Sequence, residues 1–389
     1  MNPGLEKKTK KQKLQRHNKT KKRDALLLSH RTPPKIVKIS EEINEEINEE
    51  INEEINKHIS SYSPSVNKDL VSLKSVQRNQ VFNCNNDRAF LLKAPLQIGV
   101  PDKFGKKTCY PYTDPVAKKY MLKNLKANKH VDPNMVVPPI QELANCWFNT
   151  MFVSLFVSDK GRKFFHFLRQ MMIEGKQKDV PEVLRDGFAL FNYAIDACLT
   201  GNKYAYILNT NAIIQQIYDS VPDEYKAQYK YIRDVDEAGN PVRYYLSLID
   251  YLGNRNLPLL FVQDAGVSWE FQVQEKLVGK LPDVIILEFF SDDEPITNKK
   301  TSFTMNGAKY ALDSCIIRDT ARNHFSSLLT CEKKEMAYDG MSFHRLTYMD
   351  WKDKINADFK WQFKGSKDDG KLLTWNFAKG YYMLIYYRV

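Results

Sequence analysis

Long apolar runs are missing from this chain. Its longest uncharged, apolar-leaning stretch is Leu143 to Ser158, 16 residues broken by Asn145, Asn149, Thr150 and Ser154. A membrane-spanning helix needs about 20 apolar residues, so neither a transmembrane segment nor a membrane partner is expected. The Lys-rich N-terminus offers only Ala25-Leu26-Leu27-Leu28 as an apolar patch. That is shorter than the about 7–15 residues of a signal-peptide core, and secretion is not expected. Cysteine is also scarce, with six in 389 residues: Cys84, Cys109, Cys146, Cys198, Cys315 and Cys331. No two have CxxC spacing, which excludes a zinc hairpin; no metal and no cofactor is expected. Without an export signal a disulfide framework is not expected either. The expected state is free thiols in a reducing, cytoplasmic or nuclear compartment, most of them buried as small hydrophobes.

Charge is present but uneven. The net charge is +11. Residues 1–40 hold thirteen Lys/Arg against two acids, Glu6 and Asp24, whereas residues 41–56 hold eight Glu and no base. The remainder is mildly basic. The dense lysines of the tail, Lys7-Lys8-Thr9-Lys10-Lys11-Gln12-Lys13 and Lys21-Lys22-Arg23, repel one another and stay solvated. They read either as a nuclear-import or nucleic-acid-binding arm or as a solubilising disordered tail, with no interleaved aromatic residues to stack bases. A Glu-Glu-Ile-Asn repeat follows from Glu41 to Asn56. Its isoleucines recur every four residues, a slowly drifting helical stripe. Its glutamates at i and i+4 repel, so it reads as low-complexity expansion with marginal helicity.

With 43% hydrophobic and 12% aromatic residues, the rest of the chain can bury a core. We divide it into a disordered tail and linker over 1–80, a Pro-rich extension over 81–134 and a folded domain over 135–389. Prolines at 95, 101, 111, 115, 133, 138 and 139 point to loops and short elements. One helix is expected from Pro115 to Asn128, with Pro115 in its first turn. From Cys146, apolar residues at Trp147, Phe148, Met151, Phe152, Leu155 and Phe156 predict an amphipathic helix ending near Lys160-Gly161. Further helices are expected at 162–175, 181–200 and 209–219. The last third changes period: 257–262, 283–290, 309–317, 325–331 and 381–388 are β-branched or aromatic runs bounded by turn residues. A helical half followed by a sheet half is an α+β order rather than βαβ alternation.

One cysteine stands out by position. Cys146 opens a helix, where unpaired N–H groups and the helix dipole favour a thiolate. Asn145 can cap that helix, and Gln141 or Asn145 can aim an amide at a developing oxyanion. A nucleophilic thiol needs a base, and the base an orienting group. His17, His30 and His58 fall in the tail and linker, and His166 sits in a helical pattern after Phe164-Phe165. His324 opens the run Phe325 to Cys331. A turn over Glu332 to Glu335 then leads to Ala337-Tyr338-Asp339-Gly340. Hairpin pairing brings Asp339 beside His324, where its carboxylate can hold the imidazole tautomer. Asp319 is the rival, placed in the loop before His324.

The order Cys, then His 178 residues later, then Asp 15 beyond, is that of papain-like cysteine peptidases. Asn145-Cys146-Trp147-Phe148-Asn149-Thr150 resembles the cysteine box of ubiquitin-specific proteases. The run Leu281-Pro282-Asp283 to Phe290 looks like that family's Leu-Pro strand. Tyr310-Ala311-Leu312, His324-Phe325 and Tyr338-Asp339 resemble its histidine box. The stretch Gly380 to Arg388 is similar to its closing Ala-Tyr-x-Leu-x-Tyr-x-Arg strand. Leu143-Ala144-Asn145 stands where the family has Gly-Asn-Thr, Arg322-Asn323 replaces two glycines, and the paired zinc cysteines have no counterpart. The resemblance, over about 135–389, implies a papain-like fold and a thiol hydrolase. Its implied partner is ubiquitin, or a ubiquitin-like protein, in conjugates. Its implied site is Cys146 as nucleophile, His324 as base, Asp339 as orienter and Gln141 or Asn145 at the oxyanion. Three other readings stay open. One is an ovarian-tumour type deubiquitinase. Another is a viral-type protease processing a polyprotein, in keeping with the Lys-, Asn- and Ile-heavy usage of an AT-rich genome. The last is an inactive binding module whose tail grips nucleic acid.

Overall fold

The computed structural model describes residues 96–389 apart from 142–143, 176–179, 203–204, 206–209, 254–256, 278, 320–322, 343–345, 364–365 and 369. The charged tail, the Glu-rich repeat, the linker and His344 lie outside the described residues. A hairpin of β1 (Gln97–Pro101) and β2 (Lys107–Pro111) leads into α1 (Pro115–Ala127). Pro115 occupies the first turn and the Asp114 carboxylate accepts from Val116 N at 2.7 Å. Leu96, Ile98, Ala117, Met121 and Leu125 pack against Ile173 and Ala189 of the helical half, so this Pro-rich segment is laid onto the helices. Cys109 on β2 is disulfide-bonded. This corrects the expectation of free thiols at one position, a half-buried cysteine on a hairpin strand. Cys198, Cys315 and Cys331 are free and buried.

The helical half is α2 (Cys146–Phe156), α3 (Asp159–Phe164), α4 (His166–Glu174), α5 (Arg185–Leu199), α6 (Thr210–Ser220), α7 (Asp223–Gln228) and α8 (Pro241–Tyr251). Helix α2 is its axis. Apolar residues cover it almost all round, as a fully buried helix requires, and Phe148, Phe152 and Phe156 each approach Phe191 at ring-centroid distances of 5.3–5.9 Å. The helix stops at Phe156, not near Lys160-Gly161. The Ser158 hydroxyl caps a new helix by accepting from Gly161 N, and the buried Asp313 carboxylate accepts from Lys160 N at 3.0 Å and Gly161 N at 3.3 Å. Asp313 comes from a strand more than 150 residues away, which is why local periodicity missed the break. Helices α7 and α8 carry no earlier prediction; the second buries Tyr244, Tyr245 and Leu248.

The sheet half begins with β3 (Leu259–Val262) and α9 (Trp269–Lys276). Then come β4 (Val284–Ser291), β5 (Ser302–Met305), β6 (Ala308–Arg318), β7 (Phe325–Cys331), β8 (Lys334–Tyr338) and β9 (Thr347–Tyr348). Four two-residue strands, β10 (Lys360–Trp361), β11 (Lys367–Asp368), β12 (Lys371–Leu372) and β13 (Trp375–Asn376), precede the closing β14 (Gly380–Arg388). The main sheet runs β3-β4-β14-β6-β7-β8-β9, with β5 paired to β6. Its pairings are antiparallel except β3 with β4.

Side chains alternate across each strand. Val284, Ile286, Met383, Ile385 and Tyr387 face the helical core. Ile285, Leu287, Phe289, Tyr382, Leu384 and Tyr386 face a second core with Trp269, Trp351, Trp361 and Trp375. Both faces are covered, which explains why the strands read as continuous apolar runs. The α+β order is as the periodicity predicts; the Trp-rich layer on the far face is additional.

Candidate active site

Helix α2 lies against β7, and Ser154 Oγ and Ser327 Oγ are 2.7 Å apart. Small side chains at that contact let the helix approach the sheet closely. The head of α2 therefore sits beside the start of β7, so Cys146 and His324 meet although 178 residues separate them.

Cys146 is the first residue of α2 and is partly exposed. Asn145 precedes it, but its side chain does not cap the helix. Instead Asn145 Nδ2 donates to Thr210 Oγ1 at 2.8 Å, Thr210 Oγ1 donates to Asn149 Oδ1 at 2.7 Å, and Asn149 Nδ2 donates to the Ile140 carbonyl at 3.2 Å. This buried chain of bonds fixes the approach to the thiol. It replaces the predicted cap because Thr210, on α6, is brought in by tertiary packing. One amide proton of Asn145 is thereby committed away from any oxyanion. Gln141 lines the cleft with Cys146. Its backbone N–H donates to the Gly340 carbonyl at 2.8 Å, and Tyr338 Oη donates to the Pro139 carbonyl at 2.6 Å. The segment entering α2 is thus stitched to the segment carrying Asp339.

His324 stands just before β7. Asp319 closes the connecting loop at its neck: its carboxylate accepts from His324 N at 2.6 Å and its N–H donates to the His324 carbonyl at 2.8 Å. Asp319 therefore holds the His324 backbone, not its ring. The ring packs edge-on to Trp375 at 6.0 Å. Its Nε2 lies 2.5 Å from Asp339 Oδ1, and both residues are buried. The Cys146 thiol lines the same cleft as this imidazole and acts on its protonation. With Nε2 engaged, Nδ1 is the ring nitrogen left for the thiol. Burial pulls the imidazole down, but the Asp339 charge and hydrogen bond, joined by the Cys146 thiol, push it up and prevail, to about 10.

The hairpin that delivers Asp339 turns on two residues, Glu332 and Lys333, both at positive φ (47° and 63°), rather than on four. Such turns favour Asn and Gly. Here the Asp159 carboxylate on α3 accepts from both turn N–H groups, at 2.7 and 2.9 Å. Asp339 Oδ1 also accepts from Met341 N at 3.2 Å, and Oδ2 from Ser366 Oγ. Ser366 is a site residue that sequence reasoning missed; a lone serine 27 positions downstream carries no local signal. Gly340 has ordinary φ, and its role is close approach: a Cβ there would lie 3.0 Å from Tyr338 Oη and 3.1 Å from Gln141. His166 opens α4 and lines a different cavity.

The thiol opens into a cleft of about 250 Å³ that Gln141, Trp147, Gly239, His324, Met341 and Asp368 help to line. One wall is Gly239 laid flat on the buried Trp147 ring, where a Cβ would come within 2.4 Å of ring carbons. Among the described residues no group of three or more His, Cys, Asp or Glu side chains is placed to hold a metal ion. No described helix is long and apolar enough to cross a membrane.

No protein-family model matches the chain. No curated protein matches it. Among solved structures, the SAGA DUB module of Ubp8, Sgf11, Sus1 and Sgf73 bound to monoubiquitin is similar over 66% of this chain and 70% of that one, with a TM-score of 0.41 and 7% identity. The same module bound to ubiquitin aldehyde is similar over the same shares, with a TM-score of 0.41 and 9% identity. An essential yeast splicing factor is similar over 61% of this chain and 70% of its own, with a TM-score of 0.35 and 9% identity.

Proposed function

We propose that this chain is a thiol-dependent hydrolase that cleaves ubiquitin or a ubiquitin-like protein from conjugates, with Cys146 as nucleophile, His324 as general base and Asp339 as its orienting carboxylate. The observation that carries the reading is a helix-head thiol and an imidazole lining one cleft, with the imidazole held by a buried carboxylate. A thiol-bearing helix packed on an antiparallel sheet that presents the imidazole is also the papain-like arrangement. The choice of ubiquitin rests on the four sequence landmarks around Cys146, Leu281-Pro282, His324 and Gly380 to Arg388.

In this mechanism His324 takes the thiol proton. An imidazole held well above its ordinary value keeps that proton readily, and Asp339 supports the imidazolium. The Cys146 sulfur attacks the scissile carbonyl carbon, and the oxyanion forms beside Gln141. The leaving amine departs with the proton from His324, leaving a thioester on Cys146. A water activated by His324 then hydrolyses the thioester and restores the thiol.

The test is release of a C-terminal fluorophore from ubiquitin, run beside an unrelated fluorogenic peptide. We expect turnover of the ubiquitin substrate, none by Cys146→Ala, and little of the peptide. Equal turnover by Cys146→Ala, with its fold intact, would overturn the reading.

A further inference from the structure

A second cavity, of about 470 Å³, shares no residue with the thiol cleft. It lies where the end of α1 meets the junction of α3 and α4. Five of its nine lining side chains are basic, namely Lys129, Arg162, Lys163, His166 and Arg169, and none is acidic.

The two arginines are buried, and three carboxylates set behind them more than balance their charge. Arg162 Nη2 bonds Asp159 Oδ1 at 3.0 Å and Glu332 Oε1 at 2.6 Å. Arg169 pairs with Asp196 at 3.7 Å and donates from Nε to Asn192 Oδ1 at 3.0 Å. These partners make a rigid wall, yet Arg162 Nε and Arg169 Nη2 keep no hydrogen-bond partner. Lys129 and Lys163 are exposed and form no ion pair with a carboxylate among the described residues. The rim therefore presents two ammonium groups without an ion-pair partner among the described residues. Burial, with the charges of Arg169 and Lys129, pulls the His166 imidazole below its ordinary value. The charges of Arg169 and Lys129, which add to the effect of burial there, would attract an anion.

We propose that this cavity binds the phosphate group of a small phosphorylated molecule, with the dianion set between the Lys129 and Lys163 ammonium groups. Two ammonium groups without ion-pair partners can each reach an oxygen of one phosphate, which offers three such oxygens where a carboxylate offers two. Guanidinium and ammonium donors are the usual phosphate partners. The volume falls within the about 300–1,000 Å³ of small-molecule clefts. Phe164 and Phe167 line the same cavity and offer ring surface to an organic portion, such as a nucleobase.

The experiment titrates the full chain, labelled at its histidine rings, with inorganic phosphate and separately with AMP, following the His166 imidazole by NMR. The His166→Gln variant assigns the signal. Phosphate held by the lysine-rich tail leaves that ring unmoved. We expect a saturable shift of the His166 signal, weakened at least about tenfold in Lys129→Glu/Lys163→Glu; both lysines are exposed, so the variant folds. Tighter binding of AMP than of inorganic phosphate identifies a nucleotide as the source of the phosphate. Equal binding identifies the phosphate group alone, and either result supports the site. No saturable shift with either probe, or an undiminished shift in the double variant, overturns it.

Discussion

At the residue scale the account assigns separate tasks to neighbouring side chains, and substitution separates them. Cys146→Ala should lower the rate by several orders of magnitude while leaving the fold intact, because it removes the nucleophile and only one partly exposed sulfur. Asp339→Ala should lower the rate by about 10²-fold or more, less than the loss of Cys146, and Asp339→Asn should be milder because an amide still accepts from the ring. Asp319 bonds only the His324 backbone among the contacts described above, so Asp319→Ala should slow the reaction less than Asp339→Ala. The reverse order in folded variants would contradict the assignment. The His324–Asp339 pair also has a pH signature. The imidazole is raised from its ordinary 6.5 to about 10 in the fold. A raised group stabilises the fold fully below its unfolded value and ceases to do so as pH rises through its folded value. In denaturant titrations the advantage of the wild type over Asp339→Asn should be largest below about pH 6.5 and shrink toward about pH 10. A difference that stays constant over that range, or grows, would contradict the pairing. The helix start at Cys146 and the pairing of Asp339 with His324 were legible in the sequence because they sit at recognisable local features, a helix head and the two limbs of a hairpin. Ser366 and Thr210 were not, because each reaches its partner only through tertiary packing.

At the element scale, α2 and the β7–β8 hairpin carry the proposed catalytic groups, and their surroundings hold them in register. The limits of β7 and the closing strand were legible to within a residue, since alternating buried faces and turn residues mark strand ends. The end of α2 was not, because Asp313 draws the next helix into the sheet from a distant strand. Helix α7 buries no residue and leaves no apolar stripe, whereas α8 starts on a legible signal, an Asn240 cap with Pro241 in the first turn, that was overlooked. The cleft wall supplies a sharp test. Gly239→Ala would drive a methyl into the Trp147 ring, and the wall or the ring must shift. We expect a loss of about 1–3 kcal/mol in stability, together with a reduced rate, since Trp147 follows the thiol directly. Calorimetric and kinetic measurements on this variant should move together. An unchanged melting temperature would show that the wall gives way freely.

For the whole molecule, helices and sheet meet along α2 and β7, and the site lies on that seam. The α+β class was legible from the change of period along the chain. The second core was not, because its Trp-rich cover comes from strands of two residues, too short to leave a pattern. Residues 1–80 have the charge density and repeat of a segment unable to bury a core. Their removal should leave the rate on a small ubiquitin substrate unchanged, and a truncated chain that fails to fold would move the boundary. Covalent capture is the most direct test of the central claim. The full chain is incubated with ubiquitin carrying a thiol-reactive electrophile at its C-terminus, and the product is mapped by peptide mass spectrometry. The account predicts one adduct, on Cys146, absent from Cys146→Ala and strongly slowed in His324→Ala. A folded wild-type chain that forms no adduct, or an adduct that persists in Cys146→Ala, would contradict it.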